Sequence, residues 1–383
     1  MRIVIAPDKF KGSLTAGEAA AAIAQGIRRV DPSIELDECP MADGGEGTVE
    51  ALVAATGGKI TTLNVTGPLS RMKVDAPIGI LGDGFTAAIE MSSASGLALL
   101  KDDQRDPTRT TTYGTGELLR EAQRMGMKKI ILGIGGSATC DGGVGAAQAW
   151  GATFTLHTGA EYHEGTRRLT GGDLVNLRSI ESTIPLETQG IEFVVACDVG
   201  NPLLGPDGSA PIFGPQKGAT PQQVDELEAG LTKLVEKTGR HDLADRPGAG
   251  AAGGLGFGMM AFFGASMQPG IQIVMDAVRL RERLAGADLC ITGEGKLDSQ
   301  SLAGKTPIGV ARLCKEMNIP CIALAGHIDN SIKPAREDGM AAWFSIVPGP
   351  FKLVDAVEHA ASLLRRTSEN VVRTFLAGRS STH

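Results

Sequence analysis

Short hydrophobic strands alternate with helical segments at both ends of this 383-residue chain. Near the N-terminus, an alanine-rich helical stretch separates the runs RIVIA (2–6) and IELDECP (34–40), and Thr15 and Glu18 form a capping box at its start. Near the C-terminus follow three more runs with helical or loop segments after them: ADLCITG (287–293), IPCIALAG (319–326) and AAWFSIV (341–347). Such alternation is typical of α/β proteins, so we expect these five strands to form one parallel sheet.

The middle of the chain follows a different pattern. Runs at 59–65, 74–81 and 86–91 are separated by turns alone, which predicts hairpins or a meander. Residues 158–190 are polar and irregular, and we expect a surface loop with a short helix there.

These patterns predict two domains, of which the first is discontinuous. The first domain would comprise residues 1–64 plus 286–383, and residues 65–285 would form a mixed α/β domain inserted in it. A single large domain, or boundaries nearer 80 and 270, are the alternatives.

The composition excludes several classes of protein. The net charge is −7 and 4% of the residues are aromatic, so we expect neither a basic patch nor a stacking surface for nucleic acid. The chain starts at once with a strand and has no apolar run of about 18 residues, which argues against a signal peptide and a membrane span. The cysteines and histidines lack CxxC and HExxH spacing, which predicts reduced thiols and no zinc site. We therefore expect a cytoplasmic monomer or homodimer with no membrane partner.

Glycine-rich loops that carry acids and lysines follow most of the predicted strands. The 52 glycines are close to twice the average usage of about 7%, and glycine lets backbone approach a ligand closely. Ligands of open parallel sheets bind at the carboxyl ends of the strands. That rule places ten side chains along one edge of the first domain: Asp8, Lys9, Lys11, Asp43, Glu46, Glu294, Lys296, Asp298, His327 and Asp329.

The first two loops each precede a predicted helix. APDKFKGS (6–13) brings Lys9 and Lys11 close to a helix N-terminus, where a phosphate or carboxylate can bind; a solvated turn is the alternative. MADGGEG (41–47) places Asp43 and Glu46 among glycines, which suits Mg²⁺ or a hydroxyl group, although one acid there can simply cap the helix.

The loop GIGGSATCDGG (133–143) has the GxGxxA spacing of dinucleotide-binding folds. No acid stands at the tip of the following strand, so a loop that holds phosphate is favoured over a complete dinucleotide site. Its candidate ligand groups are Gly135, Gly136, Ser137 and Asp141, and tight packing turns are the alternative.

Two further glycine-rich segments follow. In ACDVGNPLLGPDGSAPIFGPQKGA (196–219), Asp198 and Asn201 stand at a strand end, with Lys217 beyond them. Asp198 can act as a general base toward an alcohol, and an Asx-turn before Pro202 is the equally favoured alternative. GAGAAGGLGFG (248–258) has no charged side chain, so it offers backbone N–H groups or close packing.

The densest loop is ITGEGKLDSQSLAGKTPIGVA (291–311), with Glu294, Lys296, Asp298 and Lys305. Its GKT ending resembles that of a P-loop, but Ser299 stands where the first glycine of that motif belongs. We therefore predict a phosphate site without the P-loop fold. Taken together, the six loops predict phosphoryl transfer, which depends on positioning and on charge neutralisation by lysines, N–H groups and Mg²⁺.

In their order along residues 3 to about 330, these six motifs resemble those of the bacterial type 1 glycerate kinases, and the chain is similar to the enterobacterial glycerate 2-kinases. The resemblance implies a flavodoxin-like or Rossmann-like domain split by an inserted α/β domain. It also implies ATP- and Mg²⁺-dependent phosphorylation of D-glycerate to 2-phospho-D-glycerate.

We assign the following roles as hypotheses. Asp198 orients the glycerate hydroxyl, with Asp43 as the alternative base, and Asp298 or Glu294 holds Mg²⁺ in a cleft between the domains. The remaining residues bind substrate or phosphate: Asp8, Lys11, Ser13, Glu46, Gly135, Gly136, Ser137, Asp141, Asn201, Lys217, Lys296 and Lys305. A nucleotide-dependent oxidoreductase acting on a small hydroxy acid, and a non-catalytic metabolite sensor, are the alternative functions.

Overall fold

A computed structural model describes residues 1–42, 45, 47–182, 184, 188, 190–298, 306–329 and 338–380. The chain divides into two compact units. The first comprises Met1–Asp43, Glu50–Gly57 and Ile271–His383, and the second comprises Gly44–Val49 and Gly58–Gly270. No helix in the described part of the chain is both long enough and apolar enough to cross a membrane.

A five-stranded sheet with the order β14-β13-β12-β1-β2 forms the centre of the first unit. Every neighbouring pair in it is parallel, as the alternation of strands and helices predicted. Its strands are β1 (Arg2–Pro7), β2 (Glu35–Glu38), β12 (Leu289–Leu297), β13 (Cys321–Ile328) and β14 (Met340–Ser345).

Helices pack against this sheet. Helix α1 (Ala16–Val30) begins with the predicted capping box of Thr15 and Glu18, and its buried face includes Ile23, whose burial stabilises the fold by about 2 kcal/mol. The last helix lies so close to α1 that a Cβ on Gly26 would come within 2.2 Å of Ser368 Oγ. Glycine is therefore needed at this helix crossing.

The second unit contains a six-stranded sheet with the order β11-β10-β6-β5-β4-β3. The pairs β3–β4 and β4–β5 are antiparallel, which confirms the predicted meander, and the pairs from β5 to β11 are parallel. Its strands are β3 (Lys59–Thr66), β4 (Lys73–Ile80), β5 (Thr86–Glu90), β6 (Lys129–Gly133), β10 (Glu192–Ala196) and β11 (Ser266–Gln268).

A small antiparallel sheet corrects the prediction for residues 158–190. Strand β7 (Thr153–Leu156) pairs with both β8 (Glu161–Tyr162) and β9 (Leu177–Glu181). The expected short helix is present as a 3₁₀ helix (Gly171–Asn176). The expectation of an irregular loop around it was wrong, because β8 and β9 are too short to leave an alternating pattern in the sequence.

The other helices follow in chain order. They are α2 (Thr48–Thr56), α3 (Ser92–Ser95), α4 (Tyr113–Arg124), α5 (Val144–Ala149), α6 (Ser209–Phe213), α7 (Pro221–Thr238), α8 (His241–Ala244), α9 (Ala251–Phe263), α10 (Gly270–Ala277), α11 (Leu280–Leu284), α12 (Thr306–Glu316), α13 (Leu353–Glu358) and α14 (Ala360–Ser380).

The boundaries at 64/65 and 285/286 stay predictions. Strand β3 (Lys59–Thr66) pairs with β4 over its whole length, and the compact units change at Gly57/Gly58 and Gly270/Ile271. Sequence patterns locate helices and strands better than they locate the positions at which the chain passes from one compact unit to the other.

Candidate active site

Asp8 stands at the carboxyl end of β1 and is buried. One of its carboxylate oxygens accepts a hydrogen bond from Thr306 Oγ1 at 2.7 Å, and the other accepts one from the Lys9 N–H at 2.6 Å. Thr306 is the first residue of α12, so the carboxylate also lies where the helix dipole stabilises negative charge. These contacts tie β1 to α12 and favour a structural role for Asp8.

The loop after Asp8 is a tight turn that presents a lysine to solvent. The N–H and the hydroxyl group of Ser13 both donate to the Phe10 carbonyl, at 2.8 and 2.9 Å. Gly12 has a φ of +80° with open space around it. Lys11 is exposed and stands a few residues before α1, so it remains available to an anion.

Three charged residues mark the end of β12. Lys296 Nζ lies 3.0 Å from an oxygen of Asp298, with side chains that are 56% and 24% exposed, and the hydrogen bond between them raises the pKa of Lys296. Glu294 is half-buried two residues earlier, and successive odd or even positions of a strand share a face. Glu294 and Lys296 therefore share one face of β12, and Asp298, one residue beyond the strand, pairs with Lys296.

Glycines at this edge are required by close backbone contacts. A Cβ on Gly293 would come within 2.3 Å of the Leu324 carbonyl oxygen, and one on Gly295 would come within 3.0 Å of the Lys11 nitrogen. Part of the glycine pattern in this loop therefore reflects packing of neighbouring chain segments rather than ligand binding.

In the second unit, the loop after β6 has an exposed tip. Gly135 and Gly136 are exposed, and Gly136 has a φ of +73°. An antiparallel bridge between Gly96 and Ser137 holds the loop, and the Leu97 N–H donates to the Gly136 carbonyl at 2.8 Å. An ideal Cβ on Gly135 would lie 3.8 Å from Gly45 Cα, so the structure brings together two motifs that are 90 residues apart.

Asp141 lies in the same loop but is fully buried. Its carboxylate accepts hydrogen bonds from the N–H and hydroxyl of Thr112, both at 2.8 Å, and from the N–H groups of Gly143 and Gly145 at 3.2 and 3.3 Å. Burial raises the pKa of Asp141, and the hydrogen bonds act in the opposite direction. The carboxylate joins the start of α5 to the segment before α4, and it has no face toward a ligand.

Lys217 lies behind this loop and is 2% exposed. Its ammonium group donates to the Thr139 carbonyl at 2.7 Å. Burial lowers the pKa of Lys217 to about 8, and burial raises the pKa of the nearby Cys140 thiol to about 11. Lys217 therefore supports the loop from inside the unit, and direct contact with phosphate is not favoured.

Asp198 is exposed just beyond the end of β10. One carboxylate oxygen accepts the Gly270 N–H at 2.9 Å, at the start of α10. Asn201 is half-buried and donates to the Asp207 carbonyl at 2.8 Å. Asp198 is thus held in place and remains accessible to a bound alcohol, whose hydroxyl group a general base must reach.

The segment 248–258 forms most of α9, with left-handed backbone from Ala252 to Gly254. A Cβ on Gly253 would come within 1.8 Å of the Thr139 carbonyl oxygen, and one on Gly258 within 2.5 Å of the Gly142 carbonyl oxygen. Of the two predicted alternatives, the structure favours close packing. This helix holds the loop 139–143 from behind.

The sequence-based prediction missed one residue that holds the loop after β6. Thr112 holds Asp141, and its hydroxyl also accepts the Ala146 N–H at 2.9 Å; the run of threonines at 110–112 was the available signal. The predicted residues Asp43, Glu46 and Lys305 lie outside the described residues.

An α/β fold with glycine-rich loops, exposed lysines and an exposed acid at strand ends is typical of a phosphotransferase that acts on a small molecule. The model of the glycerate kinase family matches residues 3–376. The chain therefore belongs to the glycerate kinase family, and the predicted α/β fold and phosphotransferase class are confirmed.

Individual relatives agree with this assignment. The chain is 47% identical over 379 residues to the glycerate kinase of Bacillus subtilis (strain 168), covering 98% of both chains. It is 45% identical over 382 residues to the glycerate 2-kinase of Escherichia coli (strain K12), covering 99% of both. A crystal structure of a candidate glycerate kinase 2 from Salmonella typhimurium LT2 superposes with a TM-score of 0.90 at 46% identity, again over 99% of both chains. The oxidoreductase alternative has no support from these relatives.

Proposed function

We propose that this protein transfers a phosphoryl group from ATP to the 2-hydroxyl of D-glycerate and so produces 2-phospho-D-glycerate. The family membership supports glycerate as the acceptor, and the glycerate 2-kinase of Escherichia coli supports the 2-position. The structural observation that carries the proposal is the exposed, anchored carboxylate of Asp198 at the end of β10.

Asp198 would orient the attacking hydroxyl and accept its proton. The hydrogen bond from the Gly270 N–H holds one oxygen of the carboxylate, which limits its rotation. Such a base contributes roughly 10²–10⁴ to a rate.

The other groups would neutralise the charge of the phosphates and of the glycerate carboxylate. Lys11 and Lys296 are exposed cations at strand ends of the first unit. In the second unit, the exposed backbone of Gly135 and Gly136 can approach a phosphate without obstruction by side chains. Phosphoryl transfer depends on such positioning and charge neutralisation.

Glu294 and Asp298 are the residues that would hold Mg²⁺. Their carboxylate oxygens are the hard ligands that this ion prefers, and one or two carboxylates suffice because Mg²⁺ keeps several waters. Asp298 is partly exposed and already faces the Lys296 ammonium group at 3.0 Å, so the same position tolerates a cation beside it. When bound, Mg²⁺ supplies charge stabilisation to the phosphate oxygens.

The location of the reaction in a cleft between two domains stays a prediction, as does the alternative base Asp43. Small-angle scattering with and without an ATP analogue plus glycerate tests the first point, because closure of a cleft would compact the particle. Identical profiles would count against it.

Product identification tests the proposed function most simply. The protein is incubated with ATP, Mg²⁺ and D-glycerate, and the products are resolved by ³¹P NMR. The variant Asp198→Asn, which keeps an oxygen to accept the Gly270 N–H, is measured in parallel. We expect ADP and 2-phosphoglycerate from the wild type. A signal of 3-phosphoglycerate would overturn the proposed position, and ATP that remains unchanged would overturn the activity.

A further inference from the structure

Three buried cysteines meet in the first unit, away from the strand ends discussed above. Cys290 lies in β12, Cys321 begins β13, and Cys314 lies in α12. Their Sγ atoms all lie within 4.8 Å of one another, and each residue is 0% exposed.

The backbone explains why these thiols converge. Cys290 and Cys321 are register partners on neighbouring parallel strands, so their side chains leave the sheet on the same face. After Cys314, α12 ends in a turn in which the Ile319 N–H donates to the Cys314 carbonyl at 2.9 Å. The Cys290 N–H then donates to the Pro320 carbonyl at 2.9 Å, so hydrogen bonds connect Cys314 and Cys290 to the two residues that precede Cys321.

The residues beside the cluster in the sheet are apolar. Met340 in β14 is the register partner of Cys321 and is 4% exposed, whereas the register partner of Cys290 in β1 is the fully buried Val4. Among the residues that the structure describes, no carboxylate or imidazole joins the three thiols. A hard, oxygen-preferring cation such as Mg²⁺ finds no suitable ligand there.

The spacing of the sulfurs suits a metal ion. Thiolates bind zinc at about 2.3 Å, which places three of them about 4 Å apart around one ion. Sulfurs that already lie within 4.8 Å of one another need to move by less than about 1 Å to reach that arrangement. A single core cysteine acts as a small hydrophobic residue, but three contacting sulfurs form a ligand set for soft metal ions.

We propose that Cys290, Cys314 and Cys321, each as a thiolate that releases its proton to solvent on binding, together bind one soft, thiophilic d¹⁰ metal ion of the class of Cu⁺ in a three-coordinate site. The site is separate from the proposed Mg²⁺ ligands Glu294 and Asp298, both in chemistry and in position along β12. Metal binding there would join α12 to two strands of the sheet and stabilise the first unit.

Cadmium is a suitable probe because thiolate-to-cadmium charge transfer is visible in the ultraviolet. The full-length protein is reduced, freed of metal and equilibrated with Cd²⁺ under anaerobic conditions, and stoichiometry is read by absorbance and native mass spectrometry. We expect one Cd²⁺ per chain in the wild type and at least tenfold weaker binding in Cys314→Ser. Cys39→Ser is the matched control, because Cys39 is also a fully buried thiol of the first unit, and it should bind like the wild type.

A second measurement keeps the proposal testable if Cys314→Ser does not fold. Wild-type protein with and without Cd²⁺ is alkylated during partial denaturation, and the modified cysteines are identified by mass spectrometry. The proposal predicts that the metal protects Cys290, Cys314 and Cys321 but leaves Cys39 and Cys140 reactive. Absence of a charge-transfer band, equal binding by Cys314→Ser, or protection that does not involve the three cysteines would overturn it.

Discussion

The end of β12 and the loop after β6 both combine glycines with an acid, and each has a lysine close by in the structure. The two regions differ in how deeply these charged groups are buried. At the end of β12, the exposed Lys296 and the partly exposed Asp298 form an ion pair. In the loop after β6, Asp141 is fully buried, and Lys217 is buried against the Thr139 carbonyl. The first arrangement can exchange its ion pair for a ligand, whereas the second is an internal framework that shapes the loop.

Removing the buried acid tests the difference between these two regions most strongly. Asp141→Ala leaves the donors of Thr112, Gly143 and Gly145 without their acceptor. We expect the free energy of unfolding to fall by about 3–5 kcal/mol, because each buried donor left unpaired costs about 1–3 kcal/mol. Urea denaturation measures this change.

Asp298→Ala is the matched control for that experiment, because it removes an acid of the exposed pair. We expect a loss below about 1 kcal/mol. Equal losses for the two variants would show that burial does not separate the two loops.

The buried lysine predicts a pH dependence of stability. Burial lowers the pKa of Lys217 from 10.5 to about 8, so between these values the unfolded chain binds a proton that the folded chain has released. The contribution of Lys217 to the free energy of unfolding therefore increases as the pH rises from about 8 to 10.5, and this gain is lost as the pH falls back toward 8. The expected size is about 3 kcal/mol.

Lys217→Met tests this prediction. Its unfolding free energy relative to wild type should decrease by about 3 kcal/mol as the pH rises from 8 to 10.5. The pair is also compared in a Cys140→Ser background, because the Cys140 thiol titrates with a pKa of about 11. A difference that is independent of pH would contradict the buried, destabilised ammonium group.

The exposed lysine should affect binding rather than stability. Lys296→Met removes a cation that we propose neutralises phosphate, and we expect KM for ATP to rise about tenfold, or about 1.4 kcal/mol, while the unfolding free energy changes by less than about 1 kcal/mol. Steady-state kinetics and urea denaturation provide the two values. Lys352→Met, at another exposed lysine of the first unit, is the control, and an equal change in KM for both variants would argue against a specific role.

The sequence predicted the five parallel strands of the first unit far better than the role of individual site residues. Five hydrophobic runs separated by helices permit few arrangements other than a parallel sheet, and β1, β2, β12, β13 and β14 follow it. Side-chain burial at a loop is different, because it depends on what packs behind the loop. Nothing local to Asp141 indicates that Thr112, 29 residues away along the chain, donates to it.

The glycines show the same limit of prediction from sequence. Gly136 lies at an exposed tip, whereas Gly253 is enclosed, since a Cβ on it would lie 1.8 Å from the Thr139 carbonyl oxygen. Sequence indicates that both positions need glycine, but it does not distinguish a glycine that approaches a ligand from one that approaches another part of the same chain. Likewise, the meeting of Cys290, Cys314 and Cys321 follows from strand register and has no CxxC signature.

The rate of phosphoryl transfer by Asp198→Asn is the most direct test of Asp198 as the general base. The asparagine oxygen can still accept the Gly270 N–H, so the loop is retained while the proton acceptor is lost. Asp207→Asn, another exposed aspartate of the second unit, serves as the control. We predict that kcat of Asp198→Asn falls by roughly 10²–10⁴ with an unchanged unfolding free energy, and that Asp207→Asn retains full activity. A kcat for Asp198→Asn within a few-fold of the wild type would contradict the assignment of Asp198 as the base.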